Sequence, residues 1–398
     1  MTGWDMLFWS VAALWCLTAT ALILRLRRLQ SLPALQKVER DHREKVSIIV
    51  AARDEQLRIE NTVRTLLAQQ HVALELIVVD DRSTDATPAI LRDAAAAEPR
   101  LTVLRIDALP EGWLGKSNAL QTGSKVATGE WILFTDADCW MRQDVVARVL
   151  QAAERERADH VCLLPSLAPA GKRRSVLLQA CHLVFYSSLG KQMATVNGDS
   201  PRGFCGVGAF NFVRADLYRK FGGHEPLRLE VADDPMLGVL VRRSAGRTRA
   251  YLAAQDVECD WSQSVFGFVK ILEKNYFAMF RYRTVALHVM AGLVLLIWTC
   301  GLFAPFTGRA SGMVCGIAFW SMGIPGMFIA QKMGWSVWPA LLMSFAFIFL
   351  PIAMLNSCWK TLRQRGIRWR ETFYPLQQLR AGQLDWNLSE RFPTAHQG

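Results

Sequence analysis

Trp131-Ile-Leu-Phe-Thr-Asp-Ala-Asp-Cys-Trp140 is an apolar run that ends on two carboxylates one residue apart. A short continuous apolar run reads as a buried strand. Asp136 and Asp138 then stand at its end with only Ala137 between them. Two anions this close repel each other, so they call for a cation, a cage of hydrogen-bond donors or full solvation.

Working outward, the same pattern recurs upstream. Val46–Ala51 is a β-branched run, Ile59–Gln70 has helical spacing, Leu74–Asp80 is a second buried strand, Ala86–Ala97 is Ala-rich and helical, and Leu101–Ile106 is another strand. Strand and helix alternating at this spacing predict a parallel α/β sheet. Ligands of such sheets gather at the C-terminal strand ends. The first strand ends in Ala52-Arg-Asp-Glu55, the second in Asp80-Asp81-Arg-Ser-Thr-Asp85, and the third group is Asp136-Ala-Asp138. Any one of these fits an Asp-rich turn, whereas their convergence points to a site.

An acid such as Asp81 suits a base N–H or a ribose hydroxyl. The pair Asp136 and Asp138 suits a hard divalent cation, Mg2+ or Mn2+, held together with substrate phosphates. Cation plus diphosphate activates a leaving group, so the expected reaction breaks a bond to a nucleoside diphosphate. The chain has neither a Gly-x-x-x-x-Gly-Lys-Ser/Thr loop nor a Gly-x-Gly-x-x-Gly after its first strand, which weakens phosphate-loop NTPase and dinucleotide oxidoreductase readings.

The 398-residue chain is 51% hydrophobic, unevenly so. Residues 4–24 are almost uncharged, long enough to span a bilayer, and followed by Arg25, Arg27 and Arg28, which predicts a retained anchor rather than a cleaved signal. Three more apolar stretches, 284–306, 311–331 and 335–357, predict a membrane domain. The arginines after the first span, with Lys270, Lys274, Arg281 and Arg283 before the second, place the intervening region in the cytoplasm. The basic tail contradicts three full crossings, so either one C-terminal segment is re-entrant or the rule fails here. Much of the net charge of +11 flanks the membrane segments, which favours anionic headgroups over nucleic acid. Nine cysteines without a Cys-x-x-Cys pair read as reduced thiols and no metal framework.

SIIVAARDE, ELIVVDDRSTDAT, GWLGKSNALQTGSKVATGEWILFTDAD, GVGAFNFVRADLYRKFGGHE and EVADDPMLGVLVRRSAGR, in this order over about residues 46–260, resemble family 2 glycosyltransferases with the GT-A fold. LPEGWLGKSNAL between membrane spans resembles the bacterial membrane-bound branch that includes ceramide glucosyltransferase-like, carotenoid and hopanoid-associated enzymes.

The resemblance implies an α/β, Rossmann-like nucleotide-sugar domain with an N-terminal transmembrane helix and a C-terminal α-helical membrane domain. Together with the apolar and charged stretches, it divides the chain into an anchor over 1–28, a linker over 29–45 read as partly helical, the GT-A domain over 46–260, an interfacial amphipathic segment over 261–283, transmembrane segments over 284–358 and a basic tail over 359–398. Carried over residue by residue, it makes Glu55, Asp80, Asp81, Lys116 and Asp136 nucleotide-sugar-binding residues. Asp136 and Asp138 become the metal-binding pair, Asp138 the more direct ligand and Asp136 nearer the ribose or sugar. Asp234 becomes the general base, with Asp233 standing where that family usually has Glu.

The implied enzyme is an inverting, hexosyltransferase-type, multi-pass protein of the inner membrane with a cytoplasmic catalytic domain. It takes a nucleoside diphosphate sugar and a lipid acceptor, and no nucleic acid. A processive polysaccharide synthase and an inactive membrane scaffold are the alternatives.

Trp261–Arg283 mixes aromatic and basic residues directly before a span, the composition of an interfacial helix beside a lipid acceptor. The processive and ceramide branches carry Gln/Arg-x-x-Arg-Trp before the C-terminal spans, whereas here Arg365-Gly-Ile-Arg368-Trp369 lies beyond them. It reads as chance or headgroup anchoring, or, if the tail folds back, as a diphosphate or acceptor contact. Gly203–Gly208 reads equally as a close approach to sugar or acceptor and as a tight strand connection. His182, His224 and His288 read as satisfied or surface histidines, Phe204, Phe210 and Phe212 as core, and Cys139 and Cys205 as small apolar fillers.

Overall fold

The computed structural model describes residues 1–36, 42–167 and 175–385. Residues 37–41 of the linker and 386–398 of the tail lie outside the described residues. The chain divides into two compact units, one of residues 30–170, 195–261 and 381–398, the other of 1–29, 171–194 and 262–380.

Elements are numbered along the whole chain, so α1 (Gly3–Leu26) belongs to the second unit. The first unit runs β1 (Gln30–Ser31), β2 (His42–Ala52), α2 (Ile59–Leu67), β3 (Val72–Asp81), α3 (Thr87–Ala97), β4 (Leu101–Ile106), α4 (Gly115–Val126), β5 (Trp131–Asp136), β6 (Cys139–Met141), α5 (Val145–Glu156) and β7 (His160–Leu164). After α6 (Val176–Asn197), shared between the units, come β8 (Asn211–Arg214), α7 (Ala215–Lys220), α8 (Asp233–Arg243), β9 (Thr248–Leu252) and β10 (Val257–Cys259). An eight-stranded sheet has the order β1-β9-β7-β8-β5-β2-β3-β4. Its ladders are parallel except at β8, which runs antiparallel to β5 and β7. The linker departs from the helical expectation here: Gln30 and Ser31 add an edge strand beside β9.

Alternation along the central strands fills two cores. Ile48, Val50, Val78 and Leu133 face Ile59, Val63, Val145 and Val149 of α2 and α5. Ile49, Ile77, Val79 and Phe134 face Leu120, Met236 and Leu240 of α4 and α8. Phe210 and Phe212 are buried as expected, and Phe212 stacks on Trp131 with ring centroids 4.6 Å apart. The register then aligns the acids: Ala51 lies beside Asp136 and Ala52 beside Asp80, so β3 and β5 release carboxylates on either side of the end of β2.

A short ladder pairs β6 with β10 and sets Cys139 opposite Cys259 with their Cα atoms 4.4 Å apart, and the two form a disulfide. This corrects the reading of uniformly reduced thiols and of Cys139 as a filler; the partner is 120 residues away, which spacing could not reveal.

The second unit is helical. After α6 it contains α9 (Val265–Leu272), α10 (Asn275–Met279), α11 (Thr284–Phe303), α12 (Ala310–Trp320), α13 (Gly323–Lys332), α14 (Met343–Ala346) and α15 (Phe349–Gln364). A hairpin, β11 (Gly366–Trp369) and β12 (Thr372–Pro375), and α16 (Leu376–Ala381) close the described chain. Among the described residues, three helices are long and apolar enough to cross a membrane: Gly3–Leu26, Thr284–Thr307 and Ala310–Lys332. The predicted span over 335–357 is instead a pair, Trp338–Ala346 and Phe349–Gln364, bent by 46°. The interfacial segment is also two helices rather than one, and in the first turn of the second the Phe277 N–H donates to Ser357 Oγ at 2.9 Å.

Candidate active site

The site is assembled at the C-terminal edge of the sheet. Leu114 is extended and α4 starts at Gly115, where a Cβ would overlap the Asp81 carboxylate, so only glycine lets the helix start this close to β3. Lys116 follows in the first turn. Its Nζ lies 2.9 Å from Asp136 Oδ1, 3.2 Å from Asp234 Oδ1 and 3.7 Å from Asp233 Oδ2. Burial opposes a charged lysine, but the three carboxylates outweigh it and hold the ammonium well above its ordinary pKa. Asp234 is pushed up to about 7 by burial and by Asp233, against the pull of Lys116.

Asp138 faces a different set of groups. Burial, Asp136 and Glu55 raise its pKa to about 7, and Arg58 opposes them. Arg58 Nη1 is 3.4 Å from Glu55 and its Nε 3.2 Å from Asp260. Oxygens of Asp136 and Asp138 and the Cys139 sulfur lie within 4.8 Å of one another. The sulfur is in the disulfide, which leaves the two carboxylates as ligands. Two carboxylates one residue apart offer hard oxygen donors within reach of one ion, so the pair fits a hard divalent cation.

Asp81 is held by Arg82, whose Nε and Nη2 donate to its two oxygens at 2.8 and 3.0 Å. Asp80 accepts the Ser83 N–H at 3.1 Å and a bond from Arg105. Loop bonds stitch the first two strand ends together, Asp54 N–H to Ser83 Oγ at 2.9 Å and Glu55 N–H to Thr87 Oγ1 at 2.8 Å. The structure thus gathers Lys116, Asp136, Asp233 and Asp234 in one group. It places Asp138 and Glu55 beside Arg58, and Asp80 against Ser83 in the turn that follows Asp81.

The Gly203–Gly208 turn packs directly on the start of α8. A Cβ on Gly206 would overlap the Asp234 carbonyl, and one on Gly238 would overlap the Cys205 carbonyl. A Cβ on Gly208 would sit 2.6 Å from Asp136 Oδ2 and 2.7 Å from Asp234 Oδ2. Sequence reasoning missed what holds this turn: the Val207 N–H donates to Asn211 Oδ1 at 3.2 Å, and buried His160 reaches the same oxygen at 3.2 Å. It also missed Arg58, Arg82 and Asp260; Arg58 stands three residues after Glu55, the one hint available. His224 is buried and bonds Tyr218 at 2.6 Å, and His182 bonds Ser262 at 2.9 Å, both satisfied as expected.

The mixed sheet with acids at its C-terminal edge is that of the GT-A fold, as its likeness to a solved glycosyltransferase shows. The chain superposes on a mannosyltransferase from Pyrobaculum calidifontis, solved with GDP-Man and Mn2+, with a TM-score of 0.54 and 18% identity over 91% of this chain and 99% of that one. Residues 47–222 match Glycosyl transferase family 2, so the chain carries a domain of that family.

Among curated relatives, the chain is 34% identical over 122 residues to the succinoglycan biosynthesis protein ExoO of Rhizobium meliloti, covering 31% of this chain and 32% of that protein. It is 35% identical over 127 residues to the beta-monoglucosyldiacylglycerol synthase of a Nostoc species, covering 31% and 27%. It is 29% identical over 123 residues to the 4,4'-diaponeurosporenoate glycosyltransferase of Staphylococcus haemolyticus, covering 31% and 32%. The matched part is about a third of the length of each relative.

Proposed function

We propose that this protein is an inverting glycosyltransferase that moves one sugar from a nucleoside diphosphate sugar, a UDP-sugar, to a hydroxyl of a membrane lipid. The observation that carries the reading is the grouping of Asp136 and Asp234 around Lys116, with Asp138 beside Asp136, at the sheet edge. Asp138 and Asp136 would hold Mg2+ or Mn2+, which when bound neutralises the diphosphate leaving group. Lys116 donates to the same anion, and Glu55 and Asp81 bind base and ribose. Asp234 takes the proton of the acceptor hydroxyl, whose oxygen attacks the anomeric carbon from the face opposite the diphosphate. The bond to the diphosphate breaks with its electron pair, and configuration inverts.

Three apolar helices and relatives named for acting on a diacylglycerol lipid and a carotenoid acid favour a lipid acceptor. The relative named for succinoglycan biosynthesis keeps a polysaccharide synthase as the second reading. The test incubates the detergent-purified protein with labelled UDP-sugars, Mn2+ and native membrane lipids. A labelled lipid absent with Asp138→Ala and Asp234→Ala is expected. A long water-soluble product favours the polymerase. Neither UDP-sugar hydrolysis nor labelled product from the wild type, or an unchanged product from both variants, sinks the proposal.

A further inference from the structure

We infer that the β11–β12 hairpin is a binding surface for anionic phospholipid headgroups, held at the same membrane face as α9 and α10 because Trp338–Gln364 enters and leaves the bilayer on one side. Polar tethers within the helical unit set the directions of its helices. Arg309 and Ser311, at the start of α12, bond Asp5 at 3.3 and 2.7 Å, near the start of α1. Lys332, at the end of α13, donates to the Leu29 carbonyl at 2.7 Å, just past the end of α1. Helix α1 therefore runs parallel to α12–α13. The helix Thr284–Thr307 ends just before Arg309, so its start lies at the opposite face, together with Leu29 and Lys332.

The end of α15 returns to that same face. Lys360 pairs with Glu273 at 2.6 Å, Asn356 bonds Glu273 at 3.1 Å, and Arg380 donates to the Tyr282 carbonyl at 3.3 Å. Between Lys332 and Lys360 the chain reaches the interior of the bundle: Trp298 Nε1 donates to the Ser344 carbonyl at 3.0 Å, and Ser344 Oγ to the Phe319 carbonyl at 2.6 Å. A segment with both ends on one face and its middle between helices is re-entrant, permitted because its backbone is covered by protein. The conflict between the basic tail and three crossings disappears.

The hairpin then meets headgroups. Ile367 and Tyr374 point into the unit, whereas Arg368 and its cross-strand partner Phe373 are exposed on the other face. Lys274 Nζ lies 3.3 Å from the centre of the Trp369 ring, which joins the hairpin to the segment before α11. Arg363, Arg365 and Lys270 are also exposed, and Glu273 is already paired with Lys360. Basic side chains interleaved with Trp and Phe at a membrane face match anionic headgroups over an apolar boundary.

The test has two arms and does not depend on sugar transfer. In sealed vesicles of either orientation, Gln364→Cys, Lys270→Cys and Phe306→Cys are each labelled with a membrane-impermeant maleimide. Gln364→Cys should share its accessible side with Lys270→Cys and not with Phe306→Cys; sharing it with Phe306→Cys overturns the proposal. In nanodiscs mixing phosphatidylcholine and phosphatidylglycerol, bound lipid is counted by native mass spectrometry. The wild type should prefer phosphatidylglycerol, R365Q/R368Q should lose that preference by on the order of tenfold, and R365K/R368K should keep it. An unchanged preference in R365Q/R368Q, its loss in R365K/R368K, or displacement of the lipid by inorganic phosphate overturns the proposal.

Discussion

At Gly208 a single hydrogen in place of a methyl group decides whether two carboxylates keep their positions. A Cβ there would lie within 2.7 Å of both Asp136 and Asp234, too close for carbon against oxygen, and neither carboxylate is free to retreat while Lys116 holds it. Gly208→Ala is therefore expected to lower transfer at least 100-fold and leave the far-UV spectrum of the sheet unchanged; wild-type kinetics would show that the carboxylates are not fixed by this packing. Lys116 makes a second case. With its ammonium removed, Asp136 and Asp234 lose the charge that neutralises them and attract a metal ion more strongly. Lys116→Met should bind Mn2+ several-fold more tightly than the wild type in nucleotide-free protein, read by electron paramagnetic resonance, while transfer falls.

At the scale of elements, Glu75 ties β2, β3 and the turn before β5 together. It accepts from Lys45 at 2.7 Å, Ser47 Oγ at 2.6 Å and the Thr128 N–H at 2.7 Å. Burial would raise its pKa, but these donors outweigh burial and bring it from 4.5 down to about 2. A depressed carboxylate contributes stability that is complete above the unfolded value and fades as pH falls from 4.5 through about 2. Glu75→Ala should cost about 2 kcal/mol near neutrality and flatten that acid dependence, measured by thermal unfolding of the full chain in detergent. The β2, β3 and β5 runs were legible because they are apolar on both faces and carry acids at one end. The linker strand β1 was not, since two residues beside β9 have no periodicity to read. Asp81 and Asp138 could be placed at strand ends from sequence, but Arg82 and Arg58, which hold or face them, are polar loop residues that spacing does not distinguish from solvated ones.

Across the whole molecule, what sequence hides most is contact between segments far apart along the chain. Cys139 and Cys259 look like unrelated thiols until β6 and β10 pair. After air oxidation, alkylation without reductant should leave this pair unmodified and reach at most the other seven cysteines, counted by mass spectrometry; modification of Cys139 or Cys259 would rule out the pairing. The same holds for α1, which the sequence reads as a retained anchor and whose packing partners it does not show. In the structure it is a member of the helical unit: Trp15 packs edge-on against Phe319 at 5.6 Å and Phe347 at 5.7 Å, and Asp5 and Leu29 are tethered to Arg309 and Lys332. Apolar length alone cannot distinguish an anchor from a packed helix, because both satisfy the bilayer equally. Replacing residues 3–26 by an unrelated transmembrane helix of equal length supplies the same anchoring but none of these contacts. The replaced protein is expected to insert into membranes normally, yet to unfold at lower temperature in detergent and to expose the 310–332 region to protease. Wild-type melting and protease resistance in that protein would mean that α1 only anchors the chain.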